Sequence, residues 1–284
     1  MDYTIAEQSG KDIIISGIKN FELAQTLDCG QCFRWVGESG GYTGVAYGRQ
    51  LRLTLAGDNL TLKDVTCDEF ESVWKDYFDL SRDYSQIRKL YSTDPSLAKA
   101  ADFSPGLRVM RQDPWETLIT FILSQNSNIP RIKKMVALLC EHFGQALTCG
   151  SYAFPTPESL ASLDTEALAA VKTGYRAPYI IDAARQVAGG RIDLAALKSQ
   201  PAEEIQNALI QIHGVGPKVA ECVLLYGFGK VERYPVDVWM KRVMATLYPA
   251  GFPEALNPTA GIAQQYLFHY ARMHQIHFPK EEIS

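Results

Sequence analysis

The sequence predicts an α+β protein, with an N-terminal antiparallel β-sheet followed by an all-helical part. Residues 1 to about 75 hold short runs of apolar and β-branched residues separated by turn residues. From Asp68 onward the apolar residues recur at helical spacing, and no strand signal interrupts them. At 284 residues and 46% hydrophobic, the chain can bury one large core or two modest ones. A domain boundary is expected at residue 104, where Ser104-Pro105-Gly106 breaks the pattern, giving parts 1–104 and 105–284.

The expected strands are Asp12–Ser16, Cys32–Val36, Tyr42–Tyr47, Leu51–Leu55 and Leu60–Leu62. Ser39-Gly40-Gly41, Gly48 and Gly57-Asp58-Asn59 supply the turns of a meander. Gln112-Asp113-Pro114-Trp115-Glu116 opens a helix, with Asp113 as its cap and Pro114 at the first helical position. Trp115, Leu118, Ile119, Ile122 and Leu123 form its buried stripe. It breaks at Ser124-Gln125-Asn126-Ser127-Asn128, and Pro130 starts a further helix to Phe143-Gly144. Pro201 to Ile212 is expected to be helical, with Ile205, Ala208, Leu209 and Ile212 on one face. A hairpin with two glycines then leads to a helix from Pro217 through Tyr226.

Composition alone does not announce a partner. The net charge is −4, divided as 11 basic against 16 acidic residues in 1–104 and 17 against 16 in the remainder. A nucleic-acid face must therefore be a local patch, in the second part. The six cysteines are scattered, and Cys29-Gly30-Gln31-Cys32 has no second pair to complete a four-ligand metal site. No cofactor or metal is expected. Met1-Asp2-Tyr3 opens no signal peptide, and no run of eighteen apolar residues exists. The expectation is a cytoplasmic monomer, nucleoid-associated in a prokaryote.

The chemistry concentrates in His213-Gly214-Val215-Gly216-Pro217-Lys218. Glycines let the backbone approach a ligand closely, and amides at a helix N-terminus suit an anion such as a DNA phosphate. Lys218 lies in the first turn, where a cation opposes the helix dipole and the field favours the neutral, nucleophilic amine. It is either a phosphate contact or a nucleophile. Asp237, nineteen residues later, follows extended Tyr234-Pro235-Val236 and opens another helix. It is a helix cap, a partner for the lysine, or both.

Two polar loops precede this hairpin in sequence. Gln125-Asn126-Ser127-Asn128, followed by Arg131, is either a capped turn or a loop that enters DNA. Thr173-Gly174-Tyr175-Arg176 offers an aromatic wedge with a donor beside it, which suits filling the gap left by a flipped base. Gln264 and Phe268 share one helix face, as do Lys218 and Cys222. Two such faces could sandwich a flat base, and core packing would use the same residues.

Together these stretches resemble the helix-hairpin-helix DNA glycosylases with a catalytic aspartate, and within them the 8-oxoguanine DNA glycosylase/AP lyases of eukaryotic type. The resemblance spans nearly the whole chain. It implies that Lys218 attacks the sugar and that Asp237 assists. Gly30 would accept the N7–H of the lesion through its carbonyl, Gln264 would read the base edge, and Phe268 and Cys222 would stack on either face. Asn126, Arg131 and Arg176 would hold the orphaned cytosine, Tyr175 would be the wedge, and double-stranded DNA carrying 8-oxoguanine opposite cytosine would be the partner. His213, Gly214, Val215 and Gly216 would face a phosphate. Trp239 and Ala271 depart from the animal pattern at residues tied to the lesion's phosphate, and Ser127 and Pro130 depart from it beside Arg131. Two other readings stay open: an alkylpurine or other monofunctional glycosylase, and a non-catalytic hairpin DNA-binding protein.

Overall fold

The computed structural model describes residues 1–274. The last ten residues of the expected helical part, 275–284, lie outside them. Six antiparallel strands form one sheet: β1 (Ile5–Ser9), β2 (Asp12–Ser16), β3 (Trp35–Glu38), β4 (Gly41–Ala46), β5 (Arg49–Ala56) and β6 (Asn59–Lys63), in the order β1-β2-β6-β5-β4-β3. Alternation places Ile13, Ile15, Leu51, Leu53, Leu60 and Leu62 on the buried face. β1 was not expected. Its residues are mostly exposed and polar, and pairing with β2 rather than burial makes it a strand.

Expected strand Cys32–Val36 begins only at Trp35. Gly30 at φ +94° turns the chain out of extended geometry, and the buried Gln31 side chain pins the residues after it. Its amide donates to the Thr26 and Arg108 carbonyls at 2.8 and 2.6 Å and accepts from the Met110 N–H at 2.9 Å. This segment is the seam of the molecule. Cys29 and Phe33 pack into the core of the helical part, and Cys32 and Trp35 into the core beneath the sheet.

Nine α-helices among the described residues are eight residues or longer: α1 (Tyr84–Tyr91), α2 (Pro95–Phe103), α3 (Pro114–Leu123), α4 (Ile129–Phe143), α5 (Ala177–Ala188), α6 (Ala202–Leu209), α7 (Pro217–Tyr226), α8 (Val238–Leu247) and α9 (Ala260–Met273). Asp113 caps α3 as expected, accepting from the Glu116 N–H at 2.8 Å, with Pro114 following. All eight residues from Trp115 to Leu123 other than Glu116 are buried, so α3 is the central helix of this core. α1 and α2 precede residue 104 yet pack into the same core through Tyr84, Tyr91, Leu97 and Ala101. Among the described residues, no helix is long and apolar enough to cross a membrane.

Candidate active site

Helices α3, α4, α7, α8 and α9 and the Gly30 seam enclose a cavity of about 350 Å³. Six residues expected at distant points of the sequence line it together: Gly30, Lys218, Cys222, Asp237, Gln264 and Phe268. Lys218 and Cys222 are one turn apart on α7, and Gln264 and Phe268 one turn apart on α9.

The Lys218 ammonium lies 3.4 Å from Ser124 Oγ and 5.2 Å from the centre of the Phe121 ring. Both partners belong to the end of α3. Asp237 caps α8, its Oδ1 accepting from the Met240 N–H at 2.8 Å. The cap and the cavity-lining roles therefore fall on one side chain, because a capping carboxylate is held at the mouth of its helix. Arg233 fixes the approach to Asp237. Its guanidinium pairs with Glu221 on α7 and with Glu203 and Gln206 on α6, tying both hairpin helices to the extended run.

Burial pushes the Cys222 thiol up to about 11, with the nearby Lys218 charge partly opposing it. It is a neutral, polarizable wall rather than a second nucleophile. Behind it, Phe121 and Tyr226 stack with centroids 5.3 Å apart and rings nearly parallel at 9°. The Tyr226 hydroxyl meets Gln265 Oε1 at 2.5 Å and Gln264 Oε1 at 3.4 Å. Gln265 Nε2 in turn donates to the Cys29 carbonyl at 3.2 Å, so α9 grips the seam one residue from Gly30. Gly30 could not be replaced quietly. Its φ lies in the left-handed region, and a Cβ there would stand 2.7 Å from Ile129 Cδ1.

A second cleft, about 690 Å³, adjoins the cavity through Lys218, Asp237 and Trp239 and holds Asn126 and Arg131. Asn126 takes φ +46°. Tyr175 is half exposed, and its hydroxyl donates to the Gln125 carbonyl at 3.2 Å. Arg176 is buried, with its guanidinium 4.5 Å from the Tyr175 ring and spent on the carbonyls of Gln125, Asn126 and Thr173. In this free form it therefore staples the two polar loops together.

The hairpin needs correction in detail. Gly214 uses φ +82°, and a Cβ there would clash with Tyr179 at 2.2 Å, whereas Gly216 is extended with open space around it. The Val215 N–H donates inward to the Ile212 carbonyl at 3.0 Å, and the His213 N–H to Asp182 Oδ2 at 2.8 Å. Those two amides are therefore not presented to a phosphate. The His213 ring packs edge-on against Tyr179 at 4.7 Å. Of the two departures, Trp239 lines both cavities, and Ala271 is buried in the core, where an acid would have to be desolvated.

Sequence reasoning missed Phe33, Phe121, Tyr226, Gln265 and Arg272, all of which line the cavity. Arg272 could have been found, since it lies one turn beyond Phe268 on the face that Gln264 starts. The aromatic residues carried no such signal, because a core aromatic and a cavity-lining one look alike in sequence.

Residues 13–118 match the family model described as 8-oxoguanine DNA glycosylase, N-terminal domain. Residues 119–254 match that of the HhH-GPD superfamily base excision DNA repair protein. The probable N-glycosylase/DNA lyase of Methanothermobacter thermautotrophicus is 31% identical over 228 residues, covering 69% of this chain and 72% of its own. The chain belongs to the 8-oxoguanine DNA glycosylase family. The N-glycosylase/DNA lyase of Saccharomyces cerevisiae is 35% identical over 78% of this chain, and the match spans only 66% of the yeast protein. The Clostridium acetobutylicum 8-oxoguanine glycosylase/lyase, in complex with double-stranded DNA containing cytosine opposite to 8-oxoG, superposes with a TM-score of 0.91 at 38% identity. That match covers 97% of this family member and all of the clostridial chain.

Proposed function

We propose that the protein is a base-excision repair DNA glycosylase/AP lyase that removes 8-oxoguanine, preferentially opposite cytosine. The observation that carries this reading is the convergence of Lys218 and Asp237 with Gly30, Cys222, Gln264 and Phe268 on one base-sized cavity. A non-catalytic hairpin protein has no use for such a cavity behind its hairpin. A lysine beside a carboxylate also argues against a monofunctional alkylpurine enzyme.

A flipped nucleotide would place its base between Cys222 and Phe268, with Gln264 at the Watson–Crick edge. The Gly30 carbonyl accepts a hydrogen bond from N7–H of 8-oxoguanine, whereas N7 of guanine is itself an acceptor and meets the carbonyl lone pair against lone pair. Asp237 helps deprotonate Lys218, whose Nζ lone pair then forms a bond to C1′ as the glycosidic bond breaks and its electron pair leaves with the base. Ring opening gives a lysine Schiff base at C1′. Loss of a C2′ proton to solvent water then breaks the C3′–O bond and expels the 3′ phosphate, nicking the strand, and a second water hydrolyses the imine and frees Lys218. Arg131 and Arg176 hold the cytosine left behind and Tyr175 fills the gap in the stack. The protein acts as a monomer in the cytoplasm, on the nucleoid of a prokaryote.

The direct test is cleavage of three end-labelled duplexes carrying 8-oxoguanine opposite cytosine, the lesion opposite adenine, and undamaged guanine. The reading expects nicking of the first above all. Equal nicking of undamaged guanine, or nicking of none, would remove it.

A further inference from the structure

Arg272 follows Gln264 and Phe268 at four-residue steps along α9, and all three line the cavity. Its Nη1 is buried and has no hydrogen-bond partner among the described residues. A guanidinium N–H withdrawn from water without an acceptor is costly, and buried donors are almost always satisfied. An orphaned cationic donor on a cavity wall therefore points to an acceptor that arrives with the ligand.

Its position narrows that acceptor. A Cβ built on Gly30 would stand 3.4 Å from Arg272 Nη1, so the donor lies beside the peptide whose carbonyl is assigned to N7–H of the lesion. The guanidinium is 5.9 Å from the Phe268 ring centre, which places it at the rim of the stacking platform. Asp237 is the single acid among the described cavity-lining residues, and it caps α8 through the Met240 N–H. The Arg272 charge is felt along the same wall: it opposes the burial that raises the Cys29 thiol and adds to the burial that lowers His269.

We propose that Arg272 is a further lesion-reading residue, whose Nη1 donates a hydrogen bond to the C8 carbonyl oxygen of 8-oxoguanine. This rests on the proposed excision of 8-oxoguanine. N7–H and the C8 oxygen are neighbours on the damaged base, and Gly30 and Arg272 present an acceptor and a donor side by side. Guanine carries C8–H at that position and would leave the buried donor unsatisfied, so Arg272 adds to the discrimination made at N7. It is a charged donor on a neutral acceptor, the stronger class of hydrogen bond.

The test compares wild type, Arg272→Leu and Arg272→Lys in single-turnover excision. The bases are 8-oxoguanine and 2-amino-8-oxopurine, which keeps the C8 oxygen and lacks O6, each opposite cytosine. Arg272→Leu is expected to slow excision of both bases by roughly tenfold or more, and Arg272→Lys to recover part of the loss. Binding of a duplex with a tetrahydrofuran abasic analogue and thermal melting check that the variants are folded. Should Arg272→Leu not fold, Arg272→Gln against Arg272→Lys gives the same comparison. An unchanged rate, or a loss seen with 8-oxoguanine and absent with 2-amino-8-oxopurine, overturns the assignment. Wild-type protein that excises neither base overturns the functional reading, and the inference falls with it.

Discussion

Arg176 Nε donates to the Gln125 carbonyl at 2.9 Å, and the same buried guanidinium reaches the Thr173 and Asn126 carbonyls at 3.1 Å each. One side chain thus holds the ends of the two loops assigned to the DNA gap. Arginine suits this because its rigid fork of five donors satisfies several carbonyls at once. Arg131 differs: its side chain is exposed in the second cleft, and among the described residues only its backbone N–H is engaged, by the Asn128 cap at 3.0 Å.

These two arginines should therefore separate in mutagenesis. Arg131→Ala should leave thermal stability within about 0.5 kcal/mol, as surface changes do. Its preference for cytosine over adenine opposite the lesion should fall by about tenfold or more, the worth of one good arginine–base contact. Arg176→Ala should lose the same preference and also destabilise the fold by about 1–3 kcal/mol, because the buried Thr173 carbonyl and the partly buried contacts to Gln125 and Asn126 lose their donor. Melting curves and excision rates on the two duplexes check both.

Asp237 carries two roles that one substitution can divide. Asparagine caps helices about as well as aspartate, so Asp237→Asn should melt near wild type, whereas Asp237→Ala should lose about 1 kcal/mol. Both should lose about 10²–10⁴-fold in excision rate, since neither offers a base to the amine. An Asp237→Asn variant with full activity would reduce Asp237 to a cap.

Gly30→Ala meets two obstacles at once: a left-handed φ and Ile129 Cδ1 at 2.7 Å. The expected cost is about 1–3 kcal/mol of stability. Any chain that folds around the extra methyl must shift the carbonyl aimed at N7. Excision of 8-oxoguanine should accordingly fall more than binding of an abasic-site analogue, measured side by side.

The hairpin turn, the Asp113 cap and the cap formed by Asp237 were legible because each rests on local residue chemistry: prolines, glycines and caps at fixed offsets. β1 was not, because Ile5-Ala6-Glu7-Gln8-Ser9 has little apolar alternation and is a strand only by pairing with β2. The late start of the strand expected from Cys32 depended on Gln31, whose partners Thr26, Arg108 and Met110 are set by tertiary packing. Arg176 shows the same limit at the site. Its type could be read as a DNA contact, but two of the three carbonyls that hold it come from a loop some fifty residues away in sequence. The His213 amide likewise turns toward a tertiary partner, Asp182, whereas the Val215 amide closes a local turn onto the Ile212 carbonyl.

Glu116, in the first turn of α3, gives a pH signature. Burial raises its carboxyl to about 7, beyond what the Arg34 guanidinium at 3.2 Å offsets. A carboxyl raised on folding is stabilised in its protonated form, so its contribution to stability falls as pH rises between about 4.5 and 7. Glu116→Gln removes that slope. The melting temperature of the variant relative to wild type should increase with pH across this window and be flat above it; a difference independent of pH would contradict the assignment.

In the proposed reaction Lys218 forms the covalent bond. Borohydride trapping with an 8-oxoguanine:cytosine duplex measures it most directly, because reduction fixes a Schiff base as a stable protein–DNA adduct. Wild type should give the adduct, and Lys218→Gln should give none while still binding the duplex. A trapped adduct of equal yield from Lys218→Gln would place the nucleophile elsewhere and contradict the account.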